Sequence, residues 1–524
     1  MLDALIGRDW SQGYVHDVPY TDHFYPELAP AHLNYIAVLN GCRPRPLDRP
    51  FTYCELGCGH GQTASVLAVA NPNGRFFACD FNPSHVATAR RWIEAGQIGN
   101  LTVLEQGFEQ LAEADIPELD FIALHGVYSW ISPISRRAIL GFIQRKLKPE
   151  GLVYVSYNCL PGWAVAAPLQ RLMIEIAGSA SGSTGDKTKA AIDFLKRLKD
   201  VGSGFTKGNA AADAFVDRAV RSTPNYLAHE YLNRSWTLFY SADVAREMAA
   251  AKLAFAGSAT AVDNHPALLM SKEAQALLAD QPSRERRQLV QDFLTNQRFR
   301  RDIFVKGQPS LTPADIQQEM SKLSVGLLKP TSEITYAGRS MVGTYKFDTK
   351  AARAVVESLA SGPKTIGSLT AKTNGASLPP AEIHRAVHIL IASGQIASFA
   401  SAPESLHSDM PPTRFAVPAA YNRAVIAAAW TEHERATLAS PVAGTGIRLD
   451  SVERSILGAL RAGEPQQVVD TVWREAEQRG VRLSKDGKRL ETRDDNLAEL
   501  QRRWAGFKEA KLPLLLGLGV VQPA

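Results

Sequence analysis

The chain has little of what would place it in several common classes. It holds five cysteines in 524 residues, namely Cys42, Cys54, Cys58, Cys79 and Cys159. A sparse, odd set confined to the first third excludes a disulfide-stapled secreted scaffold. No partner pair stands at zinc spacing, so no metal site is expected. Long apolar runs are also missing. The longest, Leu512 to Val521, is too short to cross a bilayer. The start, Met1-Leu2-Asp3-Ala4, has no charged region leading into an apolar one, so no signal peptide is read and a cytoplasmic protein with reduced thiols is expected. Net charge is only +5. That disfavours an obligate nucleic-acid binder, although local patches stay open. The length exceeds a single core and implies about two to four domains.

What is present concentrates in Tyr53-Cys54-Glu55-Leu56-Gly57-Cys58-Gly59-His60-Gly61. An acid closes a short apolar strand, glycines alternate, and a helix starts near Gln62. Alternating glycines let the backbone turn sharply and approach a ligand. The helix start offers free N–H groups. The dinucleotide fingerprint G-x-G-x-x-G fails from Gly57, where the third glycine would be Gln62, and fits only loosely from Gly59. Gly-Lys-Ser/Thr is absent, so a P-loop is excluded. The fuller match, E-x-G-x-G-x-G, resembles the first motif of class I S-adenosylmethionine (SAM) methyltransferases. A carboxylate ahead of the glycines would repel a pyrophosphate but can accept from a methionine amino group. The next strand, Arg75 to Cys79, ends in Asp80, an acid suited to ribose hydroxyls.

From about residue 50 to 157, strands and helices alternate. The strands are read at Phe51–Leu56, Arg75–Cys79, Leu101–Leu104, Asp120–Leu124 and Leu152–Tyr157. This pattern implies a parallel sheet covered on both faces, with ligands beyond the strand carboxyl ends. Glu55, Asp80, Gly107-Phe108 and His125-Gly126 all fall there. Residues 186–300 read as a run of helices. The last third carries a faint repeat of three helices and a closing apolar strand, at 350–399 and 450–521. Such units resemble winged-helix modules. The helix that would read DNA in the first, Ala381–Ser393, carries only Arg385 and two histidines, so packing or dimerisation is expected.

Gln106-Gly107-Phe108-Glu109 can supply an adenine slot, and His125 can bond a cofactor or orient a substrate. Tyr128, Trp130, Tyr157 and Trp163 lie at or just past strand ends, either as a hydrophobic wall or as a slot for an amine. Tyr14 to Tyr20 is expected as a lid. Methyl transfer from a sulfonium needs alignment and desolvation rather than a triad or metal.

With these residues in view, the chain resembles bacterial class I methyltransferases carrying a methyltransferase regulatory domain, rickettsial protein-lysine methyltransferases among them. The likeness rests on Val18-Pro19-Tyr20, Glu55 to Gly61, His125 to Ile131, Ser156-Tyr157-Asn158 with Pro161-Gly162-Trp163, and Asn225 to Leu232. Cys159-Leu160 departs from the polar or aromatic residues expected there. The resemblance implies an α/β fold: a Rossmann-like methyltransferase sheet, then a helical domain and winged-helix-like C-terminal modules. The boundaries are 1–175, 176–300, 301–425 and 426–524. It implies SAM as cofactor, bound by Tyr20, Glu55, Gly57, Gly59, Gly61, Asp80, Phe81, Gly107, Phe108 and His125. Tyr128, Trp130, Tyr157 and Trp163 would face the acceptor, which is an amine, either a protein lysine or a small molecule. A non-catalytic SAM-binding scaffold is the alternative class. No nucleic-acid partner and no membrane insertion are expected, and a homodimer is compatible with the packing modules.

Overall fold

A helix, α1 (Pro30–Leu39), leads into strand β1 (Phe51–Leu56), and the alternation then runs α2 (Gln62–Ala70), β2 (Gly74–Asp80), α3 (Pro83–Ala95), β3 (Leu101–Glu105), β4 (Leu119–Leu124), α4 (Pro133–Lys146) and β5 (Leu147–Asn158). This computed structural model describes residues 23–340, 343–373, 378–403, 415–432, 434–463 and 467–523. Tyr20 and the lid expected at Tyr14 to Tyr20 lie outside the described residues. Local chemistry fixes the helix starts. Asn82 caps α3 by accepting from the Ser84 amide, Ser132 caps α4 by accepting from the Ser135 amide, and Pro83 and Pro133 each follow the cap.

After β5 come α5 (Ala166–Ser179), α6 (Thr184–Asp200), the short α7 (Gly204–Lys207), α8 (Ala210–Arg221), α9 (Pro224–Tyr231) and α10 (Ser241–Ala250). The helical reading of 186–300 is corrected at this point. Strand β6 (Leu253–Ser258) interrupts it, followed by α11 (Pro266–Leu269), α12 (Lys272–Ala279), α13 (Arg284–Thr295) and strand β7 (Phe299–Lys306). A short apolar run cannot be assigned to strand or helix by period alone. The sheet has seven strands in the order β3-β2-β1-β4-β5-β7-β6. β1 to β5 are parallel, and β7 runs antiparallel between β5 and β6. Thus the sheet that begins at Phe51 closes only at Lys306, with the α5–α9 helices inserted between its fifth and sixth strands.

The C-terminal region continues with α14 (Pro313–Lys322), β8 (Ser324–Gly326), β9 (Ala337–Ser340), β10 (Gly343–Lys346), α15 (Lys350–Leu359), β11 (Lys364–Thr365), α16 (Ile366–Thr373), α17 (Pro380–Ala392) and β12 (Ala397–Phe399). Strands β11, β8 and β12 form one small sheet beside these helices. Then follow β13 (Phe415–Ala416), α18 (Ala420–Ala427), β14 (Thr437–Ser440), β15 (Thr445–Arg448), α19 (Ser451–Ala462), α20 (Val468–Gln478), β16 (Ser484–Lys485), β17 (Lys488–Arg489), α21 (Arg493–Gly506), α22 (Leu512–Gly517) and β18 (Gln522–Pro523). The apolar strand expected over the last run is mostly helix α22. Leu512, Leu515 and Leu518 are all buried, a three-residue spacing that suits a helix face.

One core lies between one face of the sheet and the C-terminal region, a second covers the opposite sheet face, and a third fills the α5–α9 bundle. The β14–β15 hairpin seats on α2, where Asn71 Nδ2 donates to the Gly444 carbonyl at 2.9 Å. Among the described residues, no helix is long and apolar enough to cross a membrane. Among the same residues, no group of three or more His, Cys, Asp or Glu is arranged to hold a metal ion.

Candidate cofactor and acceptor site

The site is built on the loop leaving β1. Glu55 is buried in that strand near its carboxyl end. Gly57, Gly59 and Gly61 then adopt φ of 74°, 54° and 70°. These left-handed values favour glycine. At Gly57 a Cβ would also lie 2.5 Å from Val127 Cγ2. At Gly59 no atom of the described residues lies within 4 Å of that position. The Gly57 and Cys58 amides both donate to the Cys79 carbonyl, at 2.8 and 3.0 Å, tying the bend to β2.

Asp80 ends β2 directly beneath this bend. Its Oδ2 accepts from the Gly59 amide at 2.8 Å and its Oδ1 from the Asn82 amide at 2.9 Å. His85 Nδ1 is 3.3 Å from Oδ1, and the His85 ring meets His60 edge-on at 4.7 Å. The carboxylate is therefore held rigidly beside the open glycine. Half-buried Phe81 follows it. Beyond β3, the Gln106 amide donates to the Asp80 carbonyl at 3.1 Å, while the Gln106 Oε1 is buried with no hydrogen-bond partner among the described residues. The Gly107 amide donates to Gln110 Oε1 at 3.1 Å. The Phe108 Cζ lies 3.7 Å from where a Gly57 Cβ would stand, so the ring borders the glycine bend.

At the end of β4, His125 Nδ1 is hydrogen-bonded to the Tyr154 hydroxyl at 2.8 Å, and Tyr25 lies on the imidazole face. Burial, with the nearby Arg301 cation, pushes the His125 pKa down to about 3. The ring is therefore neutral at neutral pH. Tyr154, Ser156 and Asn158 share one face of β5 by strand alternation. Ser156 Oγ accepts from the Gly126 amide at 2.8 Å. Asn158 is 4% exposed, and its Nδ2 is buried with no partner among the described residues.

The four aromatics expected at the acceptor side divide into two pairs. Tyr128 and Tyr157 are buried in the core, and this corrects their reading as wall residues. The Tyr128 hydroxyl donates to Glu247, and the Tyr157 hydroxyl donates to Asp302 at 2.5 Å. Tyr157 lies on the sheet face opposite Asn158 and joins a buried network in which Arg300 pairs with Asp292 at 2.5 Å and Asp302 at 2.9 Å. Trp130 and Trp163 are half-buried. They meet Trp236, at 6.3 and 5.6 Å between centroids, and Trp163 meets Tyr231 at 6.2 Å. The Trp163 and Trp236 indole N–H groups are buried with no partner among the described residues. The segment after α9 is stitched to the β4 exit, since the Thr237 amide donates to the Ser129 carbonyl at 2.8 Å. His229 and Tyr231 are buried, as expected of a helix seam. The sequence motifs give no site role to Tyr25 or Trp236, and Asn158 stands only within a segment that carries the resemblance. The period-two pattern Tyr154, Ser156, Asn158 was the available signal for Asn158, whereas nothing local marks Tyr25 or Trp236.

The arrangement combines an open glycine bend, carboxylates at the ends of β1 and β2, and an unsatisfied acceptor with an aromatic edge past β3. It suits a cationic nucleoside: the open Gly59 position leaves room for close approach, and Gln106 Oε1 can accept from an exocyclic amine.

Comparison with known proteins agrees. Residues 54–151 match the family described as "Methyltransferase domain", and residues 223–306 match "Predicted methyltransferase regulatory domain". An uncharacterized protein of Synechocystis is 36% identical over 98% of this chain and 99% of its own length. An uncharacterized protein of Rickettsia prowazekii is 26% identical over 54% of this chain and 51% of its own length. The fold is similar to that of PKMT2 from Rickettsia typhi in complex with AdoHcy, with a TM-score of 0.69 and 18% identity, over 96% of this chain and 100% of that one. With its donor SAM, the chain is an enzyme that belongs to the class I SAM-dependent methyltransferases carrying a methyltransferase regulatory domain.

Proposed function

We propose that the chain methylates lysine side-chain amines of a protein. In this reading Glu55, Gly57, Gly59, Gly61, Asp80, Phe81, Gly107, Phe108 and His125 hold or border SAM, with Gln106 on the adenine amino group. When bound, SAM supplies a methyl group already activated on a sulfonium. The protein's task is to deliver a neutral amine in line with it. A free lysine amine has a pKa of about 10.4, and desolvation between aromatic walls lowers it. Trp130 and Trp163, with Trp236 and Tyr231, offer such walls, and the Asn158 carboxamide offers a hydrogen-bond partner for the incoming group. One observation carries the reading. The aromatic cluster is composite, with Trp130 and Trp163 from the exits of β4 and β5 and Tyr231 and Trp236 from the regulatory segment. The fold likeness to PKMT2 also spans nearly the whole chain. We place the enzyme in the cytoplasm, which suits five cysteines that are all free thiols.

The test is transfer of labelled methyl into fractionated bacterial extract. Label in a protease-sensitive fraction, recovered as methyl-lysine after hydrolysis, is the expected result. Label in a protease-resistant, low-mass fraction would assign a metabolite acceptor. SAM binding without transfer into any fraction would favour a scaffold.

A further inference from the structure

The cofactor loop is gripped from outside the methyltransferase sheet. Arg435, in the segment entering β14, donates from Nη2 to the His60 carbonyl at 3.0 Å, and its guanidinium lies 4.6 Å over the Trp92 ring of α3. Arg435 is 1% exposed. His60 stands between Gly59, whose amide is given to Asp80, and Gly61, the left-handed residue that starts α2. Arg435 is in turn fixed by Arg454 of α19. Arg454 is fully buried and donates to the carbonyls of Val425, Ala429, Glu432 and Arg435 at 3.0–3.2 Å. A continuous series of hydrogen bonds therefore runs from α19 through Arg435 and the His60–Gly61 peptide to the loop beside Asp80. Burying two guanidiniums is costly unless they are well bonded. Here Arg454 bonds four backbone carbonyls and the Ser451 hydroxyl, and the carbonyl that Arg435 bonds belongs to the glycine bend.

Glycines that permit this bend also leave it free to adopt other shapes. Pinning the His60 carbonyl removes that freedom before a ligand arrives, and such preorganisation appears as affinity. We infer that Arg435 is a positioning residue for the cofactor loop, so that SAM affinity depends on this one contact reaching the bend from the C-terminal module. This rests on the placement of SAM at the glycine bend proposed above.

The experiment is calorimetric titration of the full-length protein with SAM and AdoHcy, together with hydrogen exchange of residues 57–62. Arg435→Ala is expected to weaken both ligands about tenfold and to speed exchange in the loop. Arg435→Lys, which keeps a donor, should recover part of the loss. Asn71→Ala removes another bond of the same docked module, to Gly444, without touching the bend. It should leave affinity and loop exchange as in the wild type. Unchanged affinity in Arg435→Ala, or equal losses in Arg435→Ala and Asn71→Ala, overturns the inference. If Arg435→Ala fails to fold by circular dichroism, Arg435→Lys must itself show an intermediate loss, and wild-type affinity in that variant overturns the inference. Asp80→Asn in the same series separates the two ideas. Wild-type binding that is unaffected by Asp80→Asn means that SAM lies elsewhere, and the placement fails together with the inference. Binding reduced by Asp80→Asn but not by Arg435→Ala sinks the inference alone.

Discussion

The ring of Tyr25 lies on the imidazole of His125, with centroids 3.7 Å apart and planes 30° from parallel. Two segments separated by 100 residues thus meet at the carboxyl ends of β1 and β4. Tyr25 is anchored from below, its amide donating to Thr63 Oγ1 of α2 at 3.2 Å. The neighbouring Glu27 pairs with Arg301 of β7 at 2.8 Å. The chain before α1 therefore helps to enclose His125 between Tyr25, Tyr154 and Phe299.

That enclosure predicts an acid sensitivity. His125 titrates at about 3 in the fold and at about 6.5 when unfolded. Above pH 6.5 both states are neutral and its contribution is complete. As pH falls below 6.5, the unfolded chain takes up a proton that the fold excludes, so stability declines. Between pH 7 and 5.5 this residue alone should cost about 1 kcal/mol. Urea unfolding of His125→Gln at both pH values should show a loss smaller by about that amount. An identical loss in variant and wild type would refute the assignment.

Asp80 is expected to dominate nucleoside affinity. Asp80→Asn keeps the shape of the group but not its charge, so AdoHcy binding should weaken by about 1.5–3 kcal/mol, the range for hydrogen bonds to charged groups. Calorimetry checks this, with thermal melts to confirm folding. A variant with unaltered affinity would remove Asp80 from the site.

Gly57 is restricted twice, by φ of 74° and by Val127 2.5 Å from a would-be Cβ. Gly57→Ala should destabilise by about 1–3 kcal/mol. Adding Val127→Ala should restore only the overlap part and leave the conformational part. Full restoration in the double variant would show that φ contributes nothing.

Asn158 is expected to act on the acceptor and not on SAM. Removing one hydrogen bond predicts that Asn158→Ala lowers kcat/KM for the methylated substrate about 3–10-fold, with SAM affinity unchanged. Parallel loss of SAM affinity would move Asn158 to the cofactor side.

Much of the site was legible because its signals are local. The glycine alternation, the acid ahead of it and Asp80 at the next strand end each occupy a few consecutive residues, and caps such as Asn82-Pro83 and Ser132-Pro133 mark the helix starts. The aromatics were legible as residues but not as surfaces. Tyr157 and Asn158 are adjacent at a strand end, and only the pleat and the buried partner Asp302 decide that the tyrosine turns into the core. Strand β6 was missed because its apolar run is short and lies in helical surroundings.

By itself, the sequence determined the Rossmann-like beginning, the glycine bend and the acids flanking it, because backbone permissiveness and strand–helix periodicity act over a few residues. Only the tertiary structure decided how the sheet closes through β7, which of the strand-end aromatics turn into the core, and that Arg435 reaches His60. Those outcomes depend on contacts between segments far apart in the chain. Their partners are chosen by packing and by the need to satisfy buried polar groups, and no short stretch of sequence encodes that choice.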